Sequence, residues 1–326
     1  MIVFRSLSGI SKFLYKPAII QSVRPFVSSL EHVLDLSGVF PPIPTPFTDK
    51  EDIDWTSLKE NLKKWEQIDF RGYVVQGSNG EYVLLSHKER VDMVSFVRKN
   101  TGVDKLIIAG SACEGTRETL ELTNKMADVG ADVALIATPS FYKNKMNTNA
   151  MIQHYTTIAN HSSIPILLYN VPSNTGIDFP LDAIFELAKH PNIYGLKDSG
   201  GNIANIAHVK QMTKHENFQI IAGSASFLMP AMQIGAVGGI CALANVLGKE
   251  CCDLYSSILA GKFEEARDLQ LALVVPNQAV TRKYNVPGLK YAMDMAGFYG
   301  GPCRLPLTKL SNAEAKDVED SFLGFL

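Results

Sequence analysis

Between residues 35 and 247 the chain alternates, unit after unit, between a short apolar run and a stretch of helical character, and nothing else about it limits the fold as tightly. The runs include Gly72-Tyr73-Val74-Val75, Leu106-Ile107-Ile108-Ala109, Val133-Ala134-Leu135-Ile136 and Ile166-Leu167-Leu168-Tyr169. They are apolar nearly throughout, as strands are when both faces of a parallel sheet are covered. Between them, Asp54 precedes Leu58, Leu62 and Trp65 at helical spacing, and Ser86 with Glu89 spells a capping box for a helix over 86–99. Further helices are expected over 116–127, 149–159, 181–189, 203–213 and 226–234.

Eight such strand–helix units predict an α/β chain folded as a (β/α)8 TIM barrel over residues 35–247. The glycine fingerprint G-x-G-x-x-G of a dinucleotide-binding sheet is missing after the first strand. Residues 248–326 break the alternation and are expected to form a C-terminal helical segment, with helices over 249–260, 263–275 and 287–296 and an end at Gly300-Gly301-Pro302-Cys303-Arg304. Residues 1–34 differ again: Arg5, Lys12, Lys16 and Arg24 lie among serines and apolar residues, with no acid before Glu31. That is the composition of a mitochondrial transit peptide, so delivery to the matrix is expected and the stretch is set apart from the fold.

A net charge of -2 offers no basic field for nucleic acid, and no apolar run is long enough to span a membrane. The five cysteines contain no C-x-x-C pair, which fits reduced thiols.

In a barrel of this kind the reacting groups lie at the C-terminal strand ends. Those ends carry Thr45, then Gly77-Ser78-Asn79-Gly80-Glu81, Thr138 with Tyr142, Tyr169-Asn170, Lys197-Asp198-Ser199, Gly223-Ser224 and Asn245. Lys197 stands out. Lysine seldom ends a buried strand, because an ammonium is costly to desolvate. It either snorkels to solvent, or serves as an amine nucleophile that forms a Schiff base with a ketone. The glycine-rich turn at Ser78 and Asn79 offers either backbone amides for a carboxylate or an ordinary strand-to-helix turn. Tyr169, a strand away, can move protons at a reacting hydroxyl. Strand alternation predicts that Asp198 faces away from the amine. The seven histidines fall on expected helices, their flanks or the tail, none at a strand end, so no metal centre is expected there.

Taken together, Phe40 to Phe47, Gly77 to Glu81, Tyr169-Asn170-Val171-Pro172 with Thr175-Gly176, Gly195-Leu196-Lys197-Asp198-Ser199 and Ala222-Gly223-Ser224 resemble the dihydrodipicolinate synthase and N-acetylneuraminate lyase family. The likeness runs from about residue 36 to the C-terminus. Within that family, the stretch Arg71 to Glu81, Lys197-Asp198-Ser199-Gly200-Gly201 and Gly300-Gly301-Pro302-Cys303-Arg304 are most similar to the mitochondrial 4-hydroxy-2-oxoglutarate aldolases.

The resemblance implies a cofactor-free and metal-free class I aldolase that acts on a small 2-oxo acid, cleaving 4-hydroxy-2-oxoglutarate to pyruvate and glyoxylate in hydroxyproline degradation. It implies Lys197 as the Schiff-base lysine and Tyr169 as the proton-transfer tyrosine, Ser78 and Asn79 as the carboxylate turn, and Ser199 and Gly223 as further substrate contacts. It also implies a homotetramer built as a dimer of dimers, with Tyr142, or Phe141 beside it, reaching into a neighbouring subunit's site. One departure separates this chain from the dihydrodipicolinate synthases: Asn174 stands where they carry an arginine, and Ser78-Asn79 stand where they carry two threonines. N-acetylneuraminate lyase, 2-keto-3-deoxy sugar-acid aldolase and dihydrodipicolinate synthase activities stay open as alternatives, as does a ligand-binding barrel without catalysis.

Overall fold

The computed structural model describes residues 34–326, so the expected transit peptide lies almost wholly outside the described residues. Eight parallel strands form one sheet: β1 Gly38–Phe40, β2 Gly72–Val75, β3 Leu106–Gly110, β4 Val133–Ala137, β5 Ile166–Asn170, β6 Ile193–Asp198, β7 Gln219–Ala222 and β8 Gly238–Ile240. From β2 onward each pairs with the next in sequence, and β1 pairs with β8. Between β1 and β2 the ring closes through hydrogen bonds from Arg71 N to Val39 O (3.1 Å), Val74 N to Pro41 O (3.0 Å) and Ile43 N to Val74 O (3.0 Å). This is the predicted TIM barrel. Its strands are buried almost throughout, and Phe40, Val74, Ile108, Leu135 and Leu168 belong to one continuous core.

The helices between strands are α1 Trp55–Trp65, α2 His87–Lys99, α3 Thr116–Asp128, α4 Thr148–His161, the short turn α5 Pro172–Thr175, α6 Leu181–Leu187, α7 Ile203–Met212, α8 Leu228–Gln233 and, after β8, α9 Gly248–Leu259. Asp54 caps α1 by accepting from Ser57 N, and Ser86 with Glu89 forms the capping box of α2, as their spelling predicts. The buried residues of α1, Leu58, Asn61, Leu62 and Trp65, share the face turned to the strands.

Three more helices follow: α10 Phe263–Gln278, α11 Asn285–Met295 and α12 Asn312–Ser321. Two features depart from the sequence reading. Pro276 lies inside α10, which runs on past Val275 into a π-helical turn at Ala279–Lys283 before α11 begins. The chain also forms α12, opened by a capping box of Ser311 and Glu314, where no helix was expected. This C-terminal segment is tied to the barrel near the C-terminal ends of its strands. Gln270 of α10 accepts from Met229 N and donates to Ala225 O, both at 2.8 Å. No helix among the described residues is long and apolar enough to cross a membrane.

Candidate active site

A cavity of about 550 Å³ opens at the C-terminal ends of the strands, lined by Ser78, Asn79, Tyr169, Lys197, Ser199 and Gly223 among others. Six of the seven expected site residues thus meet in one place.

Lys197 is the fifth residue of β6 and is 3% exposed. Its register partner on β5 is Tyr169, and the amine lies 4.0 Å from the centre of the tyrosine ring. Alternation along β6 turns Asp198 the other way. Its carboxylate accepts from Asn170 Nδ2 at 2.9 Å and Gly201 N at 3.0 Å, with Lys197 not among its partners. Asn170 gives its second amide hydrogen to Asp178 at 2.7 Å. Burial pushes the Asp198 carboxyl up, and the bonds from Asn170 and Gly201 only partly offset that.

Burial also pushes the Tyr169 phenol up, but the Lys197 charge and hydrogen bonds to Ser78, Lys197 and Ser199 outweigh it, so its pKa falls below the ordinary phenol value. Ser78 Oγ lies 3.4 Å from the phenolic oxygen. A phenol that ionises more readily can accept the proton of a hydroxyl within reach as its phenolate.

The β2 end turns sharply, because Gln76 has φ 65 and Glu81 φ 55 on either side of the Ser78–Gly80 turn. Thr45 Oγ1 holds the turn through Gly80 O at 2.7 Å. The amides of Gly80 and Glu81 are used inside the turn. Those of Ser78 and Asn79 have no acceptor among the described residues, which leaves two donors at the cavity wall.

Ser199 and Gly223 lie side by side at the ends of β6 and β7, with Ser199 Oγ donating to Gly223 O at 3.4 Å. The Gly223 amide is spent on Asp198 O at 2.7 Å, so this backbone has no N–H free for a substrate carboxylate. Position 223 requires glycine, since a Cβ there would come within 2.6 Å of the backbone oxygen of Asp198.

Tyr142 is not brought to this cavity. It and Phe141 are 70% and 77% exposed, packed edge to face with ring centres 5.1 Å apart. Glu114 steadies their loop by accepting from Ser140 N at 3.0 Å and Phe141 N at 2.9 Å. Beside the loop a second cavity, of about 510 Å³, shares Ser78, Val171 and Asn174 with the first. His87, Cys113 and Glu118 meet at its wall. There Cys113 Sγ also accepts from Arg90 at 3.7 Å, while burial keeps its thiol protonated against that cation.

The cavity also holds residues that sequence reasoning did not find. Ser226 follows β7; Thr281 and Arg282 come from the turn between α10 and α11, and Asn285 opens α11. No local signal marks the last three, whose place depends on the C-terminal segment folding back over the strand ends.

A buried amine beside a phenol, at the strand ends of a (β/α)8 barrel, defines the class: the Schiff-base aldolases and lyases. The comparisons place the chain within it. Residues 35–322 match the model of the Dihydrodipicolinate synthetase family, and the chain belongs to that family. The 4-hydroxy-tetrahydrodipicolinate synthase of Haloarcula marismortui is 34% identical over 287 residues, covering 88% of this chain and 93% of the relative. That of Methanothrix thermoacetophila is 32% identical over 283 residues, covering 87% and 95%. Among solved structures, a dihydrodipicolinate synthase from Bacillus anthracis superposes with a TM-score of 0.85 at 26% identity, covering 90% of this chain and 99% of that one. The pyruvate complex of the Acinetobacter baumannii enzyme gives 0.83 at 28% identity, covering 88% and 97%.

Proposed function

We propose that this enzyme is a class I aldolase that cleaves 4-hydroxy-2-oxoglutarate to pyruvate and glyoxylate. The observation that carries the reading is the Lys197 amine, 3% exposed and 4.0 Å above the Tyr169 ring inside the cavity. The free Ser78 and Asn79 amides suit the 1-carboxylate of a 2-oxo acid and would hold its C2 against the amine. Lys197 attacks C2 and water leaves, giving a protonated imine that serves as an electron sink. The C3–C4 bond breaks as Tyr169 accepts the proton of the C4 hydroxyl, and glyoxylate departs. The enamine is protonated at C3, and hydrolysis frees pyruvate and the amine.

The relatives named as synthases supply the rival reading. Against it stands Asn174, which lines the cavity where the synthases carry arginine and cannot form their charge-assisted bond to an anionic aldehyde. Turnover separates the two: the purified enzyme is expected to cleave 4-hydroxy-2-oxoglutarate faster than N-acetylneuraminate or 2-keto-3-deoxy sugar acids, and to lack synthase activity. Efficient turnover of a sugar acid alone would overturn the substrate and leave the chemistry. Trapping with pyruvate and borohydride tests the chemistry itself, because a non-catalytic barrel adds no mass at Lys197.

The exposed Phe141–Tyr142 pair supports a homotetramer in which this loop meets a neighbouring subunit, to be checked by sedimentation of the wild type and a Phe141→Ser, Tyr142→Ser variant. The basic, acid-poor stretch before residue 35 supports delivery to the mitochondrial matrix, to be checked by imaging a fluorescent fusion with and without it.

A further inference from the structure

The cavity is lined by two cations, Lys197 and Arg282, and by no aspartate or glutamate. Lys197 is committed to the covalent chemistry proposed above. The Arg282 side chain makes no ion pair and no hydrogen bond with any described residue, although its neighbour Lys283 is paired with Asp317 at 2.7 Å. An unpaired guanidinium over an acid-free cavity is a site for an anion, and its planar fork matches a carboxylate.

The backbone gives the guanidinium its position. Arg282 sits in the π-helical turn Ala279–Lys283, whose wider winding interrupts the passage from α10 to α11. The turn is anchored to the barrel: Asn277 Nδ2 donates to Ser224 Oγ at 2.9 Å, and Thr281 Oγ1 donates to Asn277 O at 2.6 Å. Arg282 reaches the segment after β6, where a Cβ built on Gly201 would lie 3.8 Å from its Nη2. In a ring of eight strands β6 stands across from β2, which carries the Ser78 and Asn79 amides. A linear ligand bound through those amides and joined to Lys197 therefore points its far end toward Arg282.

We infer that Arg282 is the residue that selects 2-oxo acids bearing a second, distal carboxylate, by forming a charge-assisted bond to that group. The inference rests on the Schiff-base reading above.

The test uses two probes of equal chain length, 2-oxoglutarate and 2-oxopentanoate, which differ at the distal carboxylate. Each is trapped on the full-length enzyme with borohydride, and the half-saturating concentration is read by mass. Wild type is expected to prefer 2-oxoglutarate by about 10- to 100-fold, the range for a hydrogen bond to a charged group. Arg282→Met is expected to abolish that preference by weakening 2-oxoglutarate alone, and Arg282→Lys to keep part of it. The 2-oxopentanoate value in each variant serves as the internal standard for an intact site. A wild type without preference, an Arg282→Met enzyme that keeps the preference, or an equal loss for both acids would each overturn the assignment. A wild type that shows the preference but does not cleave 4-hydroxy-2-oxoglutarate overturns only the substrate named above and leaves Arg282 as the selector. Failure of Lys197 to trap either acid overturns the Schiff-base reading and this assignment with it.

Discussion

Glu81 and Lys290 form an ion pair 2.6 Å long, with the two side chains 0% and 2% exposed. Glu81 ends the turn that presents the Ser78 and Asn79 amides, and its other oxygen accepts the Arg304 amide at 2.9 Å. Lys290 lies on α11, donates to Pro302 O at 2.8 Å and sits 4.6 Å above the Phe47 ring. The pair fastens the Ser78–Gly80 turn after β2 to α11, the helix that follows the Arg282 turn, so the two ends of the cavity share one anchor.

Removing one member strands the other charge in the interior, which costs about 3–5 kcal/mol. Glu81→Gln is expected to lower unfolding free energy by that order, read from urea denaturation. It should also raise the half-saturating concentration for pyruvate trapping, because the turn loses its anchor. The double variant Glu81→Leu, Lys290→Met removes both charges and should recover most of the stability without recovering the trapping. Equal stability of the single and double variants would refute the anchor.

His154 and Glu89 each cost the fold stability on acidification, in largely separate windows. Burial pushes the His154 imidazole down to about 4 from an ordinary 6.5. The unfolded chain then takes up a proton the folded one refuses, and stability falls as pH drops from 6.5 toward 4. Glu89, bonded to Arg304 and to its own cap Ser86, is held at about 2 against an ordinary 4.5. Its contribution is present above pH 4.5 and is lost as pH falls through about 2. The Glu89–Arg304 pair is partly exposed, so about 1–2 kcal/mol is expected from it once solvent screening is allowed for. His154→Phe should flatten the upper window and Glu89→Gln the lower one, each leaving the other in place, in denaturation curves run across pH.

In the proposed reaction Lys197 and Tyr169 act at steps that can be separated. Lys197→Ala should abolish both trapping and turnover. Tyr169→Phe keeps the ring beneath the amine but removes the proton acceptor, so pyruvate should still be trapped while cleavage slows by about 10²- to 10⁴-fold. The Lys197 charge also holds the phenol down. Lys197→Met should therefore move Tyr169 ionisation to higher pH, read from ultraviolet difference titration against a Tyr169→Phe background.

The barrel was written in the chain at short range, which is why it could be read. Strands such as Val133–Ala137 are continuous apolar runs, and Asp54 and Ser86 cap their helices with their nearest neighbours. Lys197 and Tyr169 were legible because a polar residue at the end of a buried strand calls for a reason. Arg282 was not. Its place at the cavity depends on α10 running through Pro276 into a π turn, and a proline inside a helical pattern reads as a stop. The helix at Asn312–Ser321 was legible in principle, since Ser311 and Glu314 spell the same capping box as Ser86 and Glu89. Gly223 was found as a position, but the use of its amide by Asp198 O depends on how β6 and β7 pair, a long-range fact.

Asp198 offers the last separation, between shaping the site and reacting in it. Its side chain faces away from the amine, yet it fixes the segment after β6: one oxygen takes the Gly201 amide at 3.0 Å and the other takes Asn170 Nδ2 at 2.9 Å. Asp198→Ala leaves those donors unmatched in a buried setting, a loss of about 1–3 kcal/mol. The loosened segment is the one beneath Arg282, so the preference for 2-oxoglutarate over 2-oxopentanoate should shrink. Trapping of pyruvate, which has no distal group, should change much less. Burial raises the Asp198 pKa above its ordinary 3.8, so near that pH the folded state binds the extra proton. Its ionised form therefore works against folding at neutral pH, and protonation relieves that penalty as pH falls through the folded pKa. Asp198→Asn removes the charge while keeping an oxygen for Gly201. It should thus lose less stability than alanine at neutral pH, by the Gly201 bond less the cost of setting its Nδ2 against the Asn170 donor. A pyruvate-trapping defect in Asp198→Asn as deep as that of Lys197→Ala would place Asp198 in the chemistry and overturn this account.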